Sequence, residues 1–127
     1  MNSEEMPFFD DRQLSRVLDS DEPALLRSFY QLFLQQLKEM QQVLLLHEQL
    51  IVVADLSLLA HKFKSSARAV GAMRLGEQME TLEEICMQQQ PVGIEAQIVT
   101  LQHTGENTSA ALHAWLHEWF PADIGQE

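Results

Sequence analysis

The spacing of apolar residues is the feature that most constrains how this chain folds. Apolar side chains recur at intervals of three, four and seven residues along nearly the whole sequence, which is typical of helices with one buried face. No stretch alternates apolar and polar residues for long enough to indicate a strand. The sequence therefore predicts an all-α fold.

Turn and cap residues divide the chain into five predicted helices, at about residues 11–18, 22–48, 55–70, 73–90 and 93–119. Asp10 or Asp11 is placed to cap the first helix, and Pro23 lies in the first turn of the second. Asp55 opens the third helix, and Gly71 can end it and lead into an antiparallel neighbour. We expect one domain over residues 1–127, an antiparallel four-helix bundle with a short additional N-terminal helix.

The apolar face of each helix forms the predicted core. It comprises Leu25, Phe29, Leu32, Phe33, Met40, Val43 and Leu44, then Leu56, Leu59, Ala60, Phe63, Ala67 and Val70, then Leu75, Met79, Leu82 and Cys86. Glu77, Glu80 and Glu84 are expected to face solvent. In the last helix the apolar stripe stays in phase through Gly105, which favours one helix over two helices with a short break.

The charge of the chain is unevenly distributed. Nineteen acidic and eight basic residues among 127 give a net charge of −11, which argues against nucleic-acid binding. The segment from Asp55 to Arg74, however, contains Lys62, Lys64 and Arg68 as well as Arg74, and Asp55 is its only acid. Its net charge is +3, against −14 for the rest. This segment is suited to an anion such as a phosphoryl group.

Cysteine content and hydropathy indicate a cytoplasmic protein without a membrane span. Cys86 is the single cysteine, so an intramolecular disulfide is excluded. The first residues are acidic where a signal peptide would be basic, and no apolar stretch reaches the length of a span. His113 and His117 lie four residues apart but lack a third ligand of suitable spacing, so we expect no metal site.

His61 is the polar residue that the packing of a bundle does not explain. It projects about 140° away from the buried stripe of its helix, so we expect an exposed ring. Ser57 and Ser65 lie one turn before and after it, and Lys64 and Arg68 lie on or beside the same face. This arrangement predicts a histidine that handles phosphate, with an ordinary surface histidine as the alternative.

The segment from Ala60 to Ala72, with the sequence AHKFKSSARAVGA, resembles the signature of histidine-containing phosphotransfer (HPt) domains. Those domains carry His-x-x-Lys-Gly-Ser and then Gly-Ala near the end of the helix. The residues in register are His61, Lys64, Ser66, Gly71 and Ala72. Ser65 stands where the family usually has glycine. The resemblance covers essentially the whole chain and implies a four-helix bundle with flanking helices.

The resemblance implies a phosphorelay intermediate. His61 would accept a phosphoryl group from a receiver-domain phosphoaspartate and pass it to the aspartate of another response regulator. Lys64 and Arg68 would offset the charge of the phosphoryl oxygens. The residues expected to contact the receiver domains of hybrid sensor kinases and response regulators are Ser57, Leu58, Lys62 and Ser65. Magnesium is expected in the receiver, and no cofactor in this chain.

Other functions remain open at this point. One alternative is a helical adaptor that binds and sequesters a receiver without being phosphorylated. Another is a metal-dependent bundle enzyme, although repeated Glu-x-x-His patterns are missing. No glycine-rich nucleotide loop is present, so we expect no kinase activity. We favour a monomer, in which the aromatic residues near the chain ends (Phe8, Phe9, Trp115 and Trp119) cover the core instead of forming a dimer contact.

Overall fold

The structure, a computed structural model, describes residues 5–121 and is helical without strands over that range. Its helices are α1 (Gln13–Leu18), α2 (Pro23–His47), α3 (Val53–Val70), α4 (Met73–Cys86) and α5 (Ile94–Trp119). Helices α2 to α5 form an antiparallel bundle in which α3 packs most extensively on α4, and α1 packs against α3. The predicted fold class is confirmed. The two ends of the predicted domain, residues 1–4 and 122–127, lie outside the described residues.

Two helix starts differ from the prediction. The residue before α1 is Arg12, and Asp10 caps no helix; its carboxylate instead accepts a hydrogen bond from the Arg12 backbone N–H at 3.0 Å. Helix α3 begins at Val53, so Asp55 lies inside its first turn and is not the cap. There the carboxylate still faces the positive end of the helix dipole, which explains the acidic residue at that position.

Helix α4 ends at Cys86, four residues before the predicted end. The glutamines at positions 88–90 contribute no apolar side chain to the core. Pro91 also disfavours helical geometry in the residue before it. The prediction extended the helix too far because the glutamines have adequate helix propensity but no packing partner.

The buried face of α2 matches the prediction only in part, at Phe33, Met40 and Leu44. Its buried residues are Leu26, Tyr30, Phe33, Leu37, Met40, Leu44 and His47. Leu25, Phe29, Leu32 and Val43, expected in the core, are 37–56% exposed. Apolar residues cover so much of α2 that periodicity alone allows two overlapping stripes. Packing against α5 selects between them: the Tyr30 and Trp115 rings meet at 4.8 Å between centroids.

The buried faces of the other long helices agree with the prediction, apart from Leu59, which is half-buried, and Trp119, which is exposed. Helices α3 and α4 bury Leu56, Ala60, Phe63, Ala67, Val70, Leu75, Met79, Leu82 and Cys86. Helix α5 runs unbroken through Gly105, which faces the core as predicted. Phe9 and Trp115 both pack edge-on against Tyr30, so they cover the core, whereas Trp119 stacks on Trp115 but is 55% exposed.

Residues 7–10 cross the turn between α3 and α4, where Gly71 ends α3 with a φ of +94°. The Asp10 backbone N–H donates to the Gly71 carbonyl at 2.8 Å, and the Arg74 guanidinium lies over the Phe8 ring at 4.0 Å. A Cβ atom at Gly71 would lie 2.1 Å from the Asp10 carbonyl oxygen. Glycine is therefore required here both by backbone conformation and by space.

Candidate functional site

His61 lies near the middle of α3, on the face turned away from the core. Its neighbour Ala60 is fully buried, whereas the His61 side chain is 66% exposed. The exposure predicted from helical spacing is confirmed. An exposed imidazole in the middle of a rigid helix is accessible to a second protein while its backbone stays fixed.

Glu83 of α4 joins His61 to Lys64. One carboxylate oxygen, Oε2, lies 2.6 Å from His61 Nδ1, and the other, Oε1, lies 2.5 Å from Lys64 Nζ. The side chains of Lys64 and Glu83 are only 18% and 15% exposed. Lys64 is therefore not a free surface cation, as its spacing suggested, but one end of a three-residue cluster that links α3 to α4.

The Lys64 hydrogen bond is the main reason why the pKa of Glu83 lies below its usual value. Partial burial opposes this shift, and the hydrogen bond to His61 adds to it. At neutral pH Glu83 is therefore a carboxylate and can only accept hydrogen bonds. The His61 proton is accordingly assigned to Nδ1, and in the neutral ring Nε2 keeps its lone pair. Such a nitrogen is a nucleophile that needs no base.

Arg68 is held by α4, two helical turns beyond His61. Its Nη2 lies 2.8 Å from Glu80 Oε2 and 3.4 Å from Glu77 Oε2. Gly76 allows this crossing, because a Cβ atom there would lie 2.7 Å from Arg68 Cγ. The prediction that Glu77 and Glu80 simply face solvent is wrong, since both bind Arg68.

These contacts change the charge argument. The +3 segment predicted from sequence packs against three carboxylates of α4, which pair with two of its cations. Arg74 contacts the N-terminal segment by way of its Phe8 stacking. Lys62, which is exposed, makes no ion pair with any residue in the described range. The site is therefore closer to electrically balanced than the sequence indicated, with Lys62 as its accessible positive charge.

An apolar groove runs beside the site between α2 and α3. One part, of about 330 Å³, is lined by Val43, Leu59, Lys62 and Phe63 among others. A second part, of about 250 Å³, extends toward α1 along Phe29, Leu32, Ala69 and Val70. Gln36 and Ser66 line both parts, so the two parts are adjacent. Three of the α2 residues wrongly assigned to the core, Phe29, Leu32 and Val43, thus form a surface next to the helix that carries His61.

The remaining predicted site residues lie on or near the outward face of α3. Leu58 is 54% exposed, Lys62 and Ser65 are exposed, and Ser57 is half-buried. Ser66 is half-buried in the groove. The last two motif residues, Gly71 and Ala72, are buried at the turn between α3 and α4 and belong to the scaffold.

Glu83 is the site residue that sequence reasoning missed, because it lies in a run of glutamates interpreted as a solvated face. The predicted hairpin contained the signal that locates it. His61 lies ten residues before Gly71, and Glu83 lies twelve residues after it. In an antiparallel helical hairpin, residues at similar distances from the turn lie at the same level. A polar residue at this level on α4 was therefore a candidate partner for His61.

The described part of the chain, residues 5–121, contains neither a metal-binding cluster nor a membrane-spanning helix. No group of three or more His, Cys, Asp or Glu side chains in this part of the chain is arranged to hold a metal ion. None of its helices combines the length and the apolar character needed to cross a membrane.

Comparison with known families agrees with the geometry. The family model described as Hpt domain matches residues 24–119, from the second residue of α2 to the last residue of α5. Comparisons with curated proteins and with solved structures give no match. Since the family model covers well over half of the 127 residues, the chain belongs to the Hpt domain family.

Proposed function

We propose that this protein is a phosphorelay carrier in which His61 receives a phosphoryl group from a receiver-domain phosphoaspartate and passes it to the aspartate of another response regulator. Hpt domains carry out histidine phosphotransfer in phosphorelays and interact with receiver domains. The observation that carries the assignment to His61 is its 66% exposed ring, whose Nδ1 is held by Glu83.

The chemistry follows from the state of the ring. The Nε2 lone pair attacks phosphorus in line with the bond to the receiver's aspartate, and that bond breaks as the new one forms. No base on this chain has to remove a proton from Nε2. The receiver is expected to bring the phosphoryl group together with a magnesium ion held in its own acidic pocket.

Lys64 is proposed to stabilise the phosphoryl group by charge. The Glu83 carboxylate contacts both the Lys64 ammonium and the His61 ring, so the ammonium lies close to the ring. A phosphoryl group on His61 offers the ammonium a second anionic partner. Arg68 is proposed to act only at longer range, because Glu77 and Glu80 hold it two turns away. The two basic residues suggested by the motif therefore differ in strength, with Lys64 expected to matter more.

The receiver is proposed to dock on the outward face of α3 and along the adjoining groove. Leu58 is more than half exposed beside His61, and Lys62 lies at the mouth of the groove. Ser57 and Ser65 leave the approach to the ring open because their side chains are small. Exposed Phe29 and Leu32 of α2 extend this surface with apolar area, which is typical of protein-binding sites.

Hpt domains are phosphocarriers and not enzymes with a catalytic domain of their own. We accordingly propose that the phosphoryl group reaches His61 from a receiver and not from ATP bound by this chain. A cytoplasmic monomer is proposed as the working form, because the phosphoryl donors and acceptors of such relays are cytoplasmic receivers.

Incubation with a phosphorylated receiver domain tests the proposal. We expect acid-labile, alkali-stable phosphate on the wild-type protein and none on His61→Gln. The matched control is His103→Gln, which removes another exposed histidine from a helix and should leave labelling unchanged. Equal labelling of wild type and His61→Gln would show that the assignment is wrong. Receiver binding without any transfer would instead identify the protein as an adaptor.

A further inference from the structure

The Glu83 carboxylate lies between the two groups that a phosphoryl group on His61 would affect most. It is 2.6 Å from His61 Nδ1 and 2.5 Å from Lys64 Nζ. Its side chain is 15% exposed, so water screens its charge only partly. Within the described residues, Glu83 is the one carboxylate in contact with the His61 ring. It therefore carries a negative charge on the side of the ring opposite Nε2.

We propose that Glu83 sets the lifetime of the phosphohistidine by keeping the proton on Nδ1 of the phosphorylated ring. This inference rests on the proposed function, because it concerns the phosphorylated form of the same histidine. Glu83 acts through the imidazole and does not touch the phosphorus, so it is a positioning residue.

The electron balance of the two transfer steps explains why this proton matters. On acceptance, the Nε2 lone pair forms the N–P bond, and the aspartate carboxylate leaves with the electron pair of the P–O bond. Nδ1 keeps its proton, so the ring becomes a phosphoimidazolium. On donation, the N–P electron pair returns to Nε2 and the ring leaves as neutral imidazole. A ring without the Nδ1 proton would have to leave as an imidazolate anion, which is a far poorer leaving group.

Glu83 favours the reactive form in two ways. A carboxylate that accepts the Nδ1–H hydrogen bond stabilises the positively charged ring. The same carboxylate repels the phosphoryl oxygens and so raises the energy of the phosphorylated state. Both effects make the phosphoryl group easier to lose.

Lys64 keeps Glu83 suited to this role. By lowering the pKa of the carboxyl group, it makes Glu83 a weak base that accepts the hydrogen bond without removing the proton. The other charged groups of the α3–α4 pair are placed differently. Arg68 is paired with Glu80 and Glu77, and Lys62 and Glu84 are exposed to solvent. Helix α5 makes no ion pair with Glu83 among the described residues.

The test uses chemical phosphorylation of the whole protein with phosphoramidate, which requires no receiver. The decay of phosphohistidine is followed by phosphorus NMR in wild type, Glu83→Gln and Glu83→Asp. The matched control is Glu84→Gln, which removes the same charge from the next, solvent-exposed position of α4. Signal that persists in His61→Gln comes from other histidines and is subtracted.

We expect the phosphohistidine of Glu83→Gln to live roughly threefold longer or more at neutral pH, because the ring loses its anionic partner. The pH below which acid accelerates the decay of the phosphohistidine should also be lower in Glu83→Gln than in wild type. Glu84→Gln should match wild type, and Glu83→Asp should restore part of the lability. The Nδ1 proton of the phosphorylated ring should exchange with water faster in Glu83→Gln than in wild type. Nitrogen NMR measures this exchange.

Equal or shorter lifetimes in Glu83→Gln than in Glu84→Gln would overturn the inference, because a neutral amide at this position would then be as effective as the carboxylate. This failure is distinct from failure of the proposed function. The latter is decided by whether a phosphorylated receiver labels His61 at all, whatever the lifetime of the product.

Discussion

The α3–α4 pair and the α2–α5 pair both bury apolar side chains, but they differ in the other contacts between the helices. Across α3–α4, carboxylates of α4 bind the imidazole and cations of α3, with the Glu83 and Arg68 contacts as the two main links. Across α2–α5, the contacts are aromatic and amide: Tyr30 meets Trp115, and Gln102 Nε2 donates to the Gln41 carbonyl at 2.9 Å. An open surface cleft of about 550 Å³, lined largely by polar side chains, lies between α2 and α5.

This difference shows how the bundle separates fixing a site from filling a core. Hydrogen bonds and ion pairs are directional, so the α3–α4 contacts define where the His61 ring lies and which nitrogen is free. Apolar packing stabilises mainly through buried area and tolerates small shifts where space is left. Substitutions at α3–α4 should therefore have specific and larger effects, and those at α2–α5 should be absorbed by neighbouring side chains.

The largest effect is expected at the turn that closes the α3–α4 pair. Gly71→Ala should lower the free energy of unfolding by roughly 3 kcal/mol, because it combines a strained positive φ with displacement of the Asp10 carbonyl. Urea unfolding followed by circular dichroism measures the loss.

Gly93→Ala is the control for this substitution. Gly93 has nearly the same φ, +91°, but a Cβ atom there would meet nothing within 4 Å. Gly93→Ala should lower the free energy of unfolding by only roughly 1 kcal/mol, which is the contribution of backbone strain alone. Equal losses at the two glycines would show that the contact between the N-terminal segment and the turn does not stabilise the bundle.

The next effect concerns Lys64, compared with its neighbour Lys62. Lys64→Ala should slow phosphotransfer roughly tenfold, equivalent to about 1.4 kcal/mol of the activation barrier, and should also reduce stability because Glu83 loses its partner. Rapid-quench measurement of transfer from a phosphorylated receiver provides the rate.

Lys62→Ala removes the same charge from an exposed position and should change stability by less than about 0.5 kcal/mol. If both variants unfold at the same urea concentration, the half-buried position of Lys64 contributes nothing to the stability of the fold. A transfer rate for Lys64→Ala equal to that of wild type would remove its proposed role at the phosphoryl group.

The sequence predicts helices well because helical periodicity and turn residues are local. Gly71 and Pro23 each have one physical interpretation, and the phase of the stripe through Gly105 favours an unbroken helix; the structure agrees with all three. The buried face of α2 could not be resolved in this way. Leu32 and Leu37 are equally apolar, and only the position of α5 decides that Leu37 is buried and Leu32 exposed.

The same distinction applies to the site. The exposure of His61 follows from its position on one helix, so sequence was sufficient. Glu83 acts across a helix pair, and its identification requires knowing which level of α4 faces which level of α3. For the same reason, the sequence overestimates the positive charge of the site. The carboxylates that balance it, Glu77, Glu80 and Glu83, are close in space but lie beyond the turn in sequence.

A pair of helical glycines compares the two regions directly. At both positions a Cβ atom would meet a side-chain atom at 2.7 Å: Arg68 Cγ at Gly76, and Gln41 Nε2 at Gly105. At either position, replacing glycine by alanine should stabilise the helix by about 1 kcal/mol through helix propensity alone. At Gly105 the far end of Gln41 can rotate away, so Gly105→Ala should be neutral or slightly stabilising.

At Gly76 the atom in contact lies in the middle of the Arg68 side chain, so alanine moves the guanidinium away from Glu80 and Glu77. The net result for Gly76→Ala should be a loss of roughly 1 kcal/mol after the gain in helix propensity. Thermal unfolding of the two variants side by side measures the contrast. A Gly105→Ala variant that is less stable than Gly76→Ala would reverse the proposed difference between the regions.

The smallest effect at neutral pH is expected for Tyr30, at the centre of the α2–α5 contact. Its hydroxyl is buried and has no hydrogen-bond partner among the described residues. Removing an unpaired buried hydroxyl breaks no hydrogen bond. Tyr30→Phe should therefore change the free energy of unfolding by no more than about 0.5 kcal/mol. A loss well above this would indicate that the hydroxyl has a partner.

The effect of Tyr30 should become visible only in alkali. Burial, and secondarily the charges of Asp11 and Asp10, raise the pKa of Tyr30 from 10.0 to about 12. Between these values the unfolded chain ionises the phenol and the native protein does not, so wild type loses stability as the pH rises above 10. Tyr30→Phe should lack this part of the loss. Because Tyr30 is the only tyrosine, phenolate absorbance follows its ionisation directly, and a midpoint near 10 would contradict its burial against α5.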